Sequence, residues 1–91
     1  MDLLECVKSV YDYTIEANPE ISIEKENKMN KNIESLGFIS IISFDKFLKN
    51  ILNLPLPYED KRFPNYAHFY KECISILKRK EKLNKIVNKI K

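Results

Sequence analysis

His68 is the only histidine of the 91-residue chain, and its neighbours decide whether it can do chemistry. As a general base it would need a nucleophile within hydrogen-bond reach, which here means Cys6 or Cys73. His68 and Cys73 are five residues apart, and on a helix that spacing turns them to different sides. A metal site would need several Cys, His or carboxylate ligands at short spacing, and the chain holds neither CxxC nor HxxxH. The adjacent carboxylates Glu59 and Asp60 lie in a polar stretch, with no apolar cleft to drive their proton affinities apart. Catalytic and metal-binding residues are therefore expected to be absent, along with any cofactor. The chain reads as non-enzymatic.

The elements that would position any site come from composition first. Gly occurs once, at Gly37, which excludes a phosphate loop, a dinucleotide fingerprint and strings of tight hairpins. Helices need glycine only at their C-caps, so the expected class is all-α, in one domain spanning residues 1–91. An apolar fraction of 44% is enough for a core. The start, MDLLEC, is acidic where a secretory leader would be basic, and no apolar run approaches the roughly 20 residues a membrane span requires. Cys6 and Cys73 lie far apart among apolar residues and read as two buried, reduced thiols, hence a cytoplasmic protein.

Periodicity then places four helices in a bundle-like domain, over about 2–17, 26–36, 40–53 and 65–90. In the first, Leu3, Val7, Val10 and Thr14 form a stripe that Asn18-Pro19 ends. In the second, Met29, Ile33 and Leu36 recur at helical spacing, with Ser22 as a possible cap. Its approach, over residues 19–28, could be helix or loop. The third follows Gly37 and carries Ile41, Phe44, Leu48 and Ile51 on one row. Phe38–Ile42 alone would also suit a buried strand, but it has no partner. Pro55 and Pro57 stop this helix, and Asn65 is a good cap for the last one. Tyr66, Phe69, Cys73 and Ile76 begin a heptad-like seam that Lys80 interrupts. The expected core is Val7, Val10, Ile33, Leu48, Ile51, Phe69 and Ile76.

Two stretches remain as candidate surfaces. Tyr58–Tyr70 holds five of the ten aromatic residues, beside Arg62 and His68. Tyr and Arg combine large contact area with a polar handle, as interface hot spots do. Tyr58, Arg62, Phe63, Tyr66, His68 and Tyr70 are accordingly the candidate partner-binding residues, with Tyr58, Arg62 and Tyr70 pointing outward. The other stretch is the tail from Lys78 to Lys91, with seven basic residues and one acid against a net charge of −3 over residues 1–77. Lys78, Arg79, Lys82, Lys85 and Lys89 are candidate anion contacts for nucleic acid or an anionic membrane surface. Leu83, Ile86, Val87 and Ile90 form an edge that would also suit a homodimer. Lys, Ile and Asn dominate the composition, and low-GC coding explains a basic balance equally well. A helix-turn-helix on Gly37 fails, because its recognition helix would be mostly apolar.

In size, helix count and basic tail the chain resembles small bacterial bacteriocin-immunity proteins and phage-encoded inhibitors, a likeness of architecture. The expected function is a protein-binding regulator, inhibitor or immunity-type factor whose partner is another protein.

Overall fold

Each helix begins on a polar side chain that satisfies its free amides. In the computed structural model, which describes residues 2–90 and side chains as far as Lys80, the helices are α1 (Leu3–Ile15), α2 (Pro19–Ser35), α3 (Ile41–Leu52) and α4 (Tyr66–Ile90). Asp2 accepts the Glu5 amide at 2.7 Å, Asn18 that of Glu20 at 3.0 Å, Ser40 that of Ser43 at 3.3 Å and Asn65 that of His68 at 3.1 Å. Such caps are each worth about 1 kcal/mol.

The helix ends are equally local. Gly37 has φ +91°, its amide donates to the Glu34 carbonyl, and the Phe38 amide donates to that of Ile33. This is the Schellman arrangement, which glycine adopts at no steric cost. Asn53, at φ 54°, ends α3, and the Leu54 amide closes back on the Lys49 carbonyl. The described residues include no strand, so the Phe38–Ile42 segment passes through a bend into α3.

One boundary differs substantially from expectation. α2 begins at Pro19, not near residue 26, and Asn18 caps it instead of Ser22. Pro19 does end α1, but proline also suits the first turn of a new helix, where no amide partner is needed. Residues 19–28 are therefore helix, and their apolar side chains, Ile21 and Ile23, face outward.

Three residues connect α1 to α2, so α2 folds back along it. α1 packs along both α2 and α4, whereas α3 approaches α2 and α4 only sparsely. Among the described residues, α1 and α3 make no close backbone approach. Side chains fill that gap from below: Cys6, Val7, Val10, Phe44, Leu48, Phe69, Tyr70 and Cys73 have no exposed surface. Ile33 is buried with them, and Ile76 packs half-buried against the cluster. Both thiols are free.

Ile51 corrects the expected core, being 40% exposed. The buried residues of α3 are Phe44, Asp45, Leu48 and Leu52, a row rotated from the expected one so that Asp45 meets Tyr70 of α4. That rotation carries Ile51 to the rim and draws Asp45 inward. Leu48→Ala should accordingly cost about 2–4 kcal/mol, and Ile51→Ala about 1 kcal/mol or less. Chemical denaturation of the two variants compares them directly. Equal losses would show that α3 presents the other face.

Candidate functional site

The connection from Asn53 to Asn65 is held down by its apolar residues. Leu54, Leu56 and Phe63 are buried, so Pro55 and Pro57 alternate with leucines that enter the core. The Glu59 carboxylate accepts the Lys49 ammonium at 2.5 and 2.6 Å and the Leu56 amide at 3.1 Å. These contacts hold its carboxyl below the usual glutamate range, the lysine being the larger cause. Glu59 therefore pins the loop to α3, and Asp60 accepts the Arg62 amide at 3.0 Å.

Of the six aromatic-segment candidates, four reach the surface. Tyr58 is 71% exposed, Arg62 and His68 are exposed, and Tyr66 is half-buried. The Arg62 guanidinium lies 5.3 Å from the centre of the Phe63 ring, an arrangement that holds an otherwise free side chain over an apolar base. His68 turns its Nδ1 to the Asn65 carboxamide oxygen at 2.8 Å and lines a shallow cleft with Tyr11, Ile15, Ala67 and Lys71. That cleft does not include Tyr58 or Tyr66, so the structure does not gather all four residues at one place.

Phe63 and Tyr70 are corrections. Phe63 is buried edge-on against Phe69, with ring centres 5.8 Å apart. Tyr70 has no exposed surface, and its hydroxyl donates to Oδ1 of Asp45. The reason is the position of α4, which packs against α1 on one side and α3 on the other. Its inward arc is wider than one seam and takes in both Phe69 and Tyr70. Phe63 and Tyr70 are both buried, so Tyr70 does not point outward as its spacing suggested.

Asp45 is the residue that sequence reasoning missed. It is 7% exposed, and burial lifts its carboxyl to about 6, a shift the Tyr70 hydroxyl partly opposes. It lines a groove of about 280 Å³ together with Thr14 of α1, Ile41 and Ile42 of α3, and Tyr66 and Tyr70 of α4. Burial and the nearby carboxylates of Asp45 and Glu59 raise the Tyr66 hydroxyl above the usual tyrosine range, with Tyr58 contributing. Tyr66 and Asp45 line the same groove, and Tyr58 stands exposed on the loop that precedes α4. The available signal was a lone acid inside the apolar run Phe38–Leu48, next to a core phenylalanine.

The remaining groups are chemically quiet. Burial pushes the Cys6 thiol up to about 11 and the Cys73 thiol to about 12, which removes thiolate character at neutral pH. No group of three potential metal ligands occurs among the described residues. Of the tail candidates, Lys78 and Arg79 are exposed, Arg79 standing 3.8 Å from Glu72. Lys82, Lys85 and Lys89, and the edge of Leu83, Ile86, Val87 and Ile90, lie outside the described side chains. No helix among the described residues is long and apolar enough to cross a membrane. Compared with known protein families, curated proteins and solved structures, the chain matches none.

Proposed function

We propose that this is a non-enzymatic regulator, inhibitor or immunity-type factor that binds another protein through the surface around Tyr58 and Tyr66. One observation carries the reading. Tyr58, 71% exposed, and Ile42, 63% exposed, are large side chains left at the surface, on a loop whose Leu54, Leu56 and Phe63 are buried and on the first turn of α3, and Ile42 lines one groove with Tyr66. Large side chains kept exposed on a rigid base lose little freedom on binding. Arg62, stacked on Phe63, extends the surface. A reducing compartment such as the cytoplasm is the setting of this reading, and two free cysteines support it.

The test is a pair of truncations. Tyr58→Ala and Arg62→Ala should each cost about 0.5 kcal/mol of stability or less, since both side chains are exposed. At a hot spot the same changes cost about 2 kcal/mol or more of binding, a loss of roughly thirtyfold in affinity. Pull-down from the native host with the double variant measures that loss. Undiminished capture by a protein that melts like wild type would sink the proposal.

A second reading is kept because Lys78 and Arg79 are exposed on the surface of α4: contact with nucleic acid or an anionic membrane. It separates from the first by salt. Several phosphate contacts make binding collapse between 50 and 200 mM salt, whereas an aromatic interface weakens only slightly.

A further inference from the structure

The groove beneath Tyr66 contains an unusual pairing of burial and charge. Asp45 uses Oδ1 to accept the Tyr70 hydroxyl, and its Oδ2 takes no donor from a described residue. No fully buried side-chain nitrogen or oxygen lacks a partner among the described residues, so Oδ2 keeps some exposed surface, on a residue that lines the groove. None of the ion pairs among the described residues includes Asp45. A carboxylate that is 7% exposed and has no counter-charge is costly to keep, because removing a charge from water is compensated only by pairing.

We infer that this groove receives a lysine side chain of the partner protein, its aliphatic stem along Ile41, Ile42 and the Tyr66 ring and its ammonium on Oδ2 of Asp45. This rests on the protein-binding reading above and names what the partner contributes to it. Three features select the occupant. The carboxylate demands a cation, and the apolar walls demand a stem of methylenes, which lysine supplies together. With Oδ1 already engaged by Tyr70, only one oxygen is open, which suits a single ammonium and not the two-pronged grip of a guanidinium. The volume, about 280 Å³, is below the range of drug-sized ligand pockets and accommodates one side chain. The Tyr66 ring adds a face on which a cation is favoured.

The test uses n-butylammonium, the end of a lysine side chain, added to the full chain and followed by amide NMR at pH 7.5 and low salt. Saturable shifts confined to the surroundings of Thr14, Ile41, Ile42, Asp45 and Tyr66 are expected, with a Kd on the order of 10 mM. n-Butanol, lacking the charge, and n-butylguanidinium should each bind at least tenfold more weakly. Asp45→Asn keeps the acceptor for Tyr70 and should lose the same factor, while Lys31→Ala, at an exposed position of α2, should leave probe binding unchanged. Absence of saturable shifts in the wild type would overturn the inference, as would equal binding by Asp45→Asn. If Tyr58→Ala abolishes partner capture while butylammonium is ignored, the Tyr58 surface stands and the lysine falls. A dimer that Asp45→Asn dissociates would make a second copy the occupant and would also overturn it.

Discussion

Phe69→Ala is expected to remove about a fifth or more of the stability of this protein. Phe69 has no exposed surface, and its ring meets those of Phe63, Tyr66 and Tyr70 edge-on at centre distances of 5.8, 6.2 and 5.3 Å. Truncating a buried phenylalanine costs about 3–5 kcal/mol, and a chain of this length has roughly 5–14 kcal/mol in total. The melting temperature should fall by roughly 20 °C. Phe63 anchors the Asn53–Asn65 connection through this ring, so the loss should reach the loop as well. Tryptic cleavage after Lys61 or Arg62 should accelerate in the variant at temperatures where most molecules are still folded. A melt within a few degrees of wild type, or unchanged loop cleavage, would mean that the aromatic cluster is not what holds the loop.

Asp45→Asn should stabilise the protein by an amount that grows between about pH 4 and pH 6 and holds steady above it. The carboxyl moves from its ordinary 3.8 in the unfolded chain to about 6 in the fold. The folded state therefore holds the proton more tightly, and Asp45 contributes most to stability below pH 3.8. That contribution is lost as pH rises through 6. Two pH units correspond to about 3 kcal/mol, an upper bound for the gain at pH 7.5 when asparagine replaces the carboxylate. At pH 4 the two proteins should melt almost together. Glu16 and Glu59, both held below the usual range by lysines, act in the opposite direction and lose stability in acid. They are common to both proteins, so the difference between the two curves isolates Asp45. Thermal melts at pH 4, 6 and 7.5 decide it: a gain that does not vary with pH would mean the carboxylate is not desolvated.

Much of the fold was legible because its signals are local. One glycine, Gly37, marks the end of α2 through a positive φ that a side chain would strain, and Ser40 and Asn65 cap the helices the periodicity located. Apolar spacing alone identified Val7, Val10, Ile33, Leu48 and Phe69 as core. The start of α2 was not legible, since Pro19 serves as terminator and initiator at once, and few apolar residues follow it. Leu54 and Leu56 were missed for a related reason: proline-separated leucines have no helical stripe, and only the core beneath them draws them in.

The surface was harder, and the difficulty has one physical source. A periodic stripe says which face of a helix is apolar, but the width and rotation of the buried arc depend on how many neighbours that helix meets. The Tyr70 hydroxyl on α4 reaches Asp45 on α3 and both are inside, while Ile51 is left at the rim. By itself the sequence determined an all-helical chain, its caps, most of its core and the exposure of Tyr58 and Arg62. Only the tertiary structure decided that Phe63 and Tyr70 are structural, and that a carboxylate from α3, a tyrosine wall from α4 and the end of α1 meet in one groove. Those residues are 14, 45 and 66 in the chain, and no local energy term connects them; the gap between α1 and α3 does.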